Sequence, residues 1–194
     1  MNKNDRVKFR QAYRITTKGK STAAERKKAF RIWLELAYKD YVRSTFYLGV
    51  CFDNGIGTKK NFRHAFQAFF IAAHYGHPES QYNLYQMYRQ GVGTKKNLSK
   101  ALYWLKRAAL RHDVAAMRDL GYCYHEGVGI KVNYSKATQL YRRAAKAGDA
   151  KAQWNLALCY RDGHGVARSM RWFNHWIQTA ARNGHEKARA YVRS

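Results

Sequence analysis

The sequence predicts an all-α protein, a right-handed α/α solenoid of antiparallel helix pairs with a 36-residue period. Three observations support this prediction. The chain can be slid by 36 residues onto itself across four copies with no slip in register. A Gly-x-Gly recurs in each copy, beginning at Gly55, Gly91, Gly127 and Gly163. An Ala-Ala pair also recurs, beginning at Ala72, Ala108, Ala144 and Ala180. Self-similarity at a fixed period of this length indicates a repeat array.

The first helix of each repeat, helix A, is predicted from four columns of apolar or small residues. In the third repeat it runs roughly from Ala116 to Glu126, and the columns hold Ala116, Leu120, Cys123 and Tyr124. Their spacing of i, i+4, i+7 and i+8 places them on one face of an α-helix. The glycine that follows suits the position after a helix end, where φ is positive and a Cβ is costly.

The second helix, helix B, follows a residue that can cap it. The four residues at this position are Asn61, Asn97, Asn133 and Ser169. Their side chains can accept hydrogen bonds from the first free backbone amides of the helix. Helix B then buries an alanine column, a large apolar column and the Ala-Ala pair, and three of the four B helices are predicted to end at Gly76, Gly148 and Gly184.

One domain is predicted over residues 1–194, because the chain has one proline and no Ser/Gly-rich linker. Its repeats are predicted at 43–78, 79–114, 115–150 and 151–186.

Incomplete units are predicted at both ends of the array. Residues 7–42 form a degenerate first repeat, in which Gly19 corresponds to Gly55 and a capping box at Thr22 opens a helix that ends at Tyr38. Residues 187–194 begin a further helix A. For residues 1–20, a helix and a disordered basic arm both remain open.

The pattern Leu-Gly-x-x-Tyr-x-x-Gly-x-Gly, followed by Asn, Lys-Ala, an aromatic residue and Ala-Ala, resembles the Sel1-like repeat family, relatives of the tetratricopeptide repeats. The resemblance covers residues 43–186. Two features depart from the family pattern: Tyr85 replaces the small residue after Leu84, and Asn or Ser replaces the usual acidic cap. The resemblance implies an α/α solenoid that binds other proteins, often as a bacterial signalling or assembly adaptor.

The cysteines and the N-terminal segment give an expectation about the compartment. Cys51, Cys123 and Cys159 share one core-facing column, so they are predicted to be packed, unpaired thiols. An odd number of thiols suits a reducing compartment. No apolar segment typical of a secretory signal or of a membrane span is visible. We therefore expect a cytoplasmic protein.

The residues required for common enzyme chemistry are not arranged for it. The Gly-x-Gly lacks the preceding strand and the third glycine of a dinucleotide site. The eight histidines do not pair at metal-ligand spacing, and the 12 acidic residues are scattered. We expect no enzyme, no cofactor and no metal site.

The charge is strongly positive, with 37 Lys and Arg residues against 12 Asp and Glu, a formal net charge of +25. Basic residues recur with the repeat and are predicted to form stripes that attract polyanions. The candidate polyanion-binding residues are Lys59, Lys60, Lys95, Lys96, Lys100, Arg107, Lys131, Lys136 and Arg143. A solubilising surface is the competing interpretation. An acidic protein, RNA or DNA, and an anionic membrane surface are the alternative partners.

A partner-binding groove is predicted where the A helices line the concave face of related solenoids. Two columns face it: one contains Tyr47, Asn83, Asp119 and Asn155, and the other contains Val50, Gln86, Tyr122 and Leu158. Asn side chains offer both donors and acceptors to a peptide backbone, and aromatic residues add rigid contact area. A third column contains Phe46, Tyr82, Arg118 and Trp154, and it is expected to pack against the preceding B helix rather than to face the groove.

Together these features predict a non-enzymatic adaptor that binds a protein or peptide on its concave and basic surfaces, and the positive charge favours an acidic partner. The alternative is a nucleic-acid or other polyanion binder with little sequence selectivity, because no base-reading motif is evident.

Overall fold

The computed structural model describes residues 1–17 and 20–193, and within those residues it contains eleven helices and no strand. In chain order the helices are α1 (Lys3–Thr17), α2 (Ala23–Tyr38), α3 (Val42–Asn54), α4 (Phe62–His74), α5 (Pro78–Gln90), α6 (Leu98–Leu110), α7 (Val114–Glu126), α8 (Tyr134–Lys146), α9 (Ala150–Asp162), α10 (Met170–Arg182) and α11 (Glu186–Arg193). The predicted all-α class is confirmed. The A helices α3, α5, α7, α9 and α11 begin at intervals of 36 residues, which is consistent with the predicted period.

Two compact units are present, Met1–Trp104 and Leu105–Ser194. In the first unit, α1 to α5 pack in chain order, each helix against the next. In the second unit, α7 to α11 do the same. Each unit is therefore built from A and B helices that pack against their neighbours in sequence, as expected of stacked repeats.

The first helix pair occupies the place of the predicted degenerate repeat. Thr22 accepts a hydrogen bond from the Glu25 amide, the Glu25 side chain accepts one from the Thr22 amide, and α2 ends at Tyr38. The predicted capping box is confirmed, whereas the predicted match at Gly19 lies outside the described residues. Residues 3–17 form α1, which resolves the two alternatives for this segment in favour of a helix.

The predicted caps of the B helices are confirmed. Asn61, Asn97 and Asn133 accept hydrogen bonds from the amides three residues later, at 3.1, 2.9 and 2.9 Å. Ser169 accepts the equivalent bond from the Trp172 amide at 3.4 Å. A side-chain acceptor at this position satisfies one of the amides that a helix start leaves free.

The core of the first unit is centred on Trp33 and on the A-helix columns. Trp33 is fully buried, and its indole N–H donates to the Thr16 hydroxyl at 2.8 Å. Gly49 of α3 lies against the Phe69 ring of α4, so close that a Cβ at this position would be 2.7 Å from the ring. A small residue is thus required where the two helices of this repeat cross.

The second unit repeats this packing. Gly121 of α7 faces the Tyr141 ring of α8, and a Cβ there would lie 2.8 Å from it. Cys123 and Cys159 are buried in the A helices of this unit, as Cys51 is in the first. The predicted core position of the thiols is confirmed.

The second glycine of the Gly-x-Gly does more than turn the chain. A Cβ on Gly93 would lie 2.2 Å from the carbonyl oxygen of Phe62, the first residue of α4 in the preceding repeat. Gly57 and Gly165 make the same approach to Arg26 and Tyr134. Each of these glycines also has a positive φ of about 70°. The loop of one repeat therefore packs directly on the start of the preceding B helix.

Across residues 1–17 and 20–193, no helix combines the length and the apolar character needed to cross a bilayer.

Candidate partner-binding site

The predicted groove residues of the first unit fall into two environments. Asn83 and Gln86 of α5 line a cavity of about 250 Å³ together with Asp53 of α3. The Gln86 amide donates to the Tyr82 hydroxyl at 2.8 Å, which holds it in place. This part of the A-helix surface offers an amide and a carboxylate to a bound segment.

Tyr47, in contrast, is packed by the N-terminal helix. Its ring stacks on Trp33 with centroids 4.7 Å apart, and it meets Phe9 and Tyr13 of α1 edge-on at 6.0 and 5.5 Å. Burial raises the pKa of the Tyr47 hydroxyl, which fits a site withdrawn from water. Val50, one turn further along α3, is half-buried.

The groove residues of the second unit also differ from one another. Tyr122 is half exposed, and Asn155 is half-buried. Asp119 accepts a hydrogen bond from the Arg118 guanidinium at 2.8 Å. Leu158 packs against the core formed with Phe173. Tyr122 and Asn155 are therefore the groove residues of this unit most available to a partner.

Three members of the third column, Phe46, Arg118 and Trp154, contact the N-caps of the following A helices. Phe46 stacks on His77, the N-cap of α5, at 4.6 Å. Trp154 stacks on His185 at 4.8 Å, and the Ala188 amide donates to the His185 Nδ1. These residues join one repeat to the next because each ring supports the cap of its neighbour.

Arg118 occupies the same column but uses charge instead of stacking. Its guanidinium donates to the Asp149 carboxylate at 2.9 Å, and Asp149 caps α9 by accepting from the Ala152 amide at 2.7 Å. In this column Phe46 and Trp154 thus stack on histidine caps, and Arg118 pairs with an aspartate cap.

The histidine caps predict acid sensitivity. A histidine cap accepts a backbone N–H hydrogen bond at Nδ1, so this nitrogen must carry no proton. Burial lowers the pKa of both His77 and His185 below the ordinary value of 6.5. Near His77, Glu79 favours protonation and Arg43 opposes it. Near His185, Lys151 and Lys187 oppose protonation, whereas Glu186 and Asp149 favour it. The contribution of these caps to the free energy of unfolding is therefore fully present above pH 6.5. It falls below that pH, because the two histidines bind protons more readily in the unfolded chain than in the folded one.

We expect the free energy of unfolding to decrease between pH 7.5 and pH 5 by about 1 kcal/mol for each cap. Urea unfolding at stepped pH measures this loss. The variant His77→Asp/His185→Asp keeps side-chain acceptors and should flatten the dependence, whereas His175→Gln, an exposed control, should leave it unchanged. Equal slopes in the wild type and the double variant would contradict the assignment.

The predicted basic residues are exposed in both units, except Arg107, which is half-buried. In the first unit, the ammonium groups of Lys60 and Lys100 lie over the rings of Phe62 and Tyr88 at 5.5 and 5.7 Å. In the second unit, Lys136 lies over Tyr124 at 5.5 Å. These cation–π contacts hold the three ammonium groups near the protein surface, while the lysine residues remain exposed.

The remaining basic residues are less constrained. Lys59, Lys95, Lys96 and Lys131 form no ion pair with any carboxylate in the part of the chain that the structure describes. Arg143 donates to His112 at 2.8 Å. The positive charge is therefore largely uncompensated.

A cleft between the B helices of the first unit was not predicted. It lies between α2 and α4 over α3, has a volume of about 460 Å³, and is lined mainly by apolar side chains that include Leu34, Tyr38, Ile71 and Tyr75. A signal for it exists in the sequence, because Leu34 and Ile71 stand where later repeats carry Lys106, Arg142, Arg107 and Arg143.

Comparison with known proteins identifies the family. The Sel1 repeat profile matches residues 42–73, 78–113, 114–149 and 150–185. The chain belongs to the Sel1 repeat family. The four matches begin within one residue of the repeats predicted from the period. Sel1 repeat proteins are generally scaffolds for protein interaction and are typically not enzymes.

Solved structures of Sel1 repeat proteins have the same fold. A Sel1 repeat protein from Oxalobacter formigenes is 29% identical with a TM-score of 0.81, over 88% of this chain and 69% of that one. The protective antigen c5321 of uropathogenic Escherichia coli, which has an SLR fold, is 26% identical with a TM-score of 0.84. That alignment covers 95% of this chain but only 39% of c5321. No curated protein matches the chain.

Proposed function

We propose that this Sel1 repeat protein is a non-enzymatic adaptor that binds an acidic protein or peptide partner on its A-helix and basic surfaces. The observation that supports this most directly is the uncompensated positive charge on a scaffold of an interaction family. Such a surface favours encounter with acidic partners and disfavours other basic proteins. We further propose a cytoplasmic location, because three unpaired buried thiols suit a reducing compartment.

On the A-helix surface we assign contact with the partner to Asn83 and Gln86 in the first unit, and to Tyr122 and Asn155 in the second. The two Asn and the Gln carry both donors and acceptors, so they can pair with a peptide backbone irrespective of its sequence. Tyr122 supplies an exposed ring with few rotatable bonds. Specificity for the partner would then come from charge.

Nucleic acid is the second candidate, and the lysines of the A–B loops favour it. The loop lysines Lys59, Lys60, Lys95 and Lys96 recur at the same place in consecutive repeats, as phosphate contacts along a strand would require. Such binding would depend on the backbone of the nucleic acid and not on its sequence.

One set of binding measurements separates the two candidates. Partners captured from a nuclease-treated bacterial lysate are identified, purified and titrated against the wild type and against two variants, Asn83→Ala/Tyr122→Ala/Asn155→Ala and a charge reversal of the four loop lysines to Glu. Labelled single- and double-stranded nucleic acids are titrated in parallel between 50 and 300 mM salt.

We expect to capture a protein partner. Its Kd should be at least tenfold higher for the triple Ala variant than for the wild type, a loss of about 1.4 kcal/mol, while the thermal unfolding midpoint of the variant stays unchanged. Nucleic acid should bind weakly near 150 mM salt. Tight nucleic-acid binding that weakens steeply with salt would contradict the adaptor function and favour the alternative. In that case the slope of log K against log salt concentration should be lower by up to about four in the lysine variant.

A further inference from the structure

The cleft between α2 and α4 exposes more apolar surface than a solvated B-helix face requires. Tyr38 is 83% exposed, Tyr75 is 69% exposed and Ile71 is 51% exposed, and all three line the cleft with Leu34. An apolar concavity of about 460 Å³ is large enough for several side chains of a bound peptide. Clustered exposed apolar residues of this kind mark interaction surfaces more than isolated ones do.

The fold itself does not demand this apolar character. Residues equivalent to Leu34 in the third and fourth helix pairs are Lys106 and Arg142, and those equivalent to Ile71 are Arg107 and Arg143. The same helical positions are thus compatible with charged side chains. The apolar side chains of Leu34 and Ile71 therefore need a local explanation.

One end of the cleft is strongly basic. Lys27, Arg31, Leu34 and Tyr38 follow one another on one face of α2, at the spacing i, i+4, i+7 and i+11. Gly57 lies against the carbonyl of Arg26, which brings the loop that carries Lys59 and Lys60 to the start of α2. Arg63 is exposed in the first turn of α4.

These charges are available to a partner. Lys27, Arg31, Lys59 and Arg63 make no ion pair with a carboxylate anywhere in residues 1–17 and 20–193. Because the loop joins the starts of both B helices, the positive ends of the α2 and α4 dipoles add to the same field. Asp40 lines the cleft beyond the end of α2, so the opposite end is not basic. The cleft therefore has a direction, basic at the helix starts and apolar towards the helix ends.

We propose that the α2–α4 cleft binds an amphipathic helical segment of an acidic partner protein. Two or three large apolar side chains of that segment enter between Leu34, Tyr38 and Ile71, and its Asp or Glu residues lie over Lys27, Arg31 and Arg63. This is helix-in-groove recognition with a charged end that fixes the orientation. A second copy of this chain is a poor occupant, because each copy carries a net charge of +25.

This inference rests on the proposed adaptor function but assigns the contact to B helices instead of the A-helix groove. It is tested with a display library of random 16-residue peptides, selected against the intact protein at 150 mM salt. The best synthetic peptides are then titrated by fluorescence anisotropy against cleft, basic-end, groove and control variants.

We expect enriched peptides to combine two or three large apolar residues at helical spacing with a cluster of Asp or Glu. Ile71→Asp and, independently, Tyr38→Ser should raise the Kd at least tenfold, about 1.4 kcal/mol. Lys27→Glu/Arg31→Glu should raise it about fivefold and reduce its salt dependence. Val7→Asp, at a 61% exposed apolar residue of α1 outside the cleft, should leave it unchanged.

Each other outcome overturns the inference in a distinguishable way. Peptides that lose affinity in the Asn83→Ala/Tyr122→Ala/Asn155→Ala variant but not in Ile71→Asp would move the site to the groove and leave the adaptor function standing. Purely acidic peptides that respond only to charge reversal would favour a polyanion surface. Self-association that Ile71→Asp abolishes would assign the cleft to a second copy. No enrichment would count against both proposals.

Discussion

Gly93→Ala is expected to lower the free energy of unfolding by about 2–5 kcal/mol. Two costs combine. A residue with a Cβ is disfavoured at the φ of 70° that Gly93 adopts, by about 1–2 kcal/mol. The new Cβ would also lie 2.2 Å from the Phe62 carbonyl oxygen, so the loop must move away from α4, at a cost of about 1–3 kcal/mol.

Gly148→Ala is the matched control. Its φ is 92°, but no atom lies within 4 Å of the position that a Cβ would take, so only the backbone cost applies. Urea unfolding followed by circular dichroism measures both variants. If the two variants lost equal stability, the close approach of the loop to the preceding repeat would contribute nothing.

Arg118→Trp is expected to destabilise the second unit by about 2 kcal/mol, and adding Asp149→His is expected to restore most of that loss. The first change removes the guanidinium from Asp149, a half-buried carboxylate that then lacks its cation. The second change recreates the stacked pair that Trp154 and His185 form one repeat later, at 4.8 Å and 14° between the rings.

A double-mutant cycle measures this coupling from the unfolding free energies of the parent, both single variants and the double variant. The coupling energy should favour the double variant by at least about 1 kcal/mol. Additive losses would show that the two positions are independent, and the pairing of Phe46 and Trp154 with histidine caps would then be coincidental.

The fold could be predicted from the sequence because its determinants recur within the chain. Asn61 and its equivalents cap B helices by a mechanism that is local to three residues, so a motif suffices to find them. The role of Gly93 could not be predicted in the same way. A glycine in a turn explains a positive φ, but the contact with Phe62 depends on a backbone 31 residues earlier.

The binding surfaces were less predictable for two physical reasons. Tyr47 shares a column with Asn83, but α1 packs its aromatic residues on Tyr47 and lies outside the four-fold pattern from which the column was deduced. The histidine caps were missed because His77 is not a residue type usually associated with helix starts. The groove assignment itself remains a prediction.

The buried thiols give three of the repeats an internal reporter of local opening. Cys51, Cys123 and Cys159 occupy the same position in different repeats, and burial raises the pKa of Cys51 to about 12 and that of Cys159 above its usual range. A thiol reacts as the thiolate, so none of them should be modified while its repeat is closed. The rate of alkylation at each cysteine would therefore report how often its own repeat opens. Oxidative damage would begin in the repeat that opens most often.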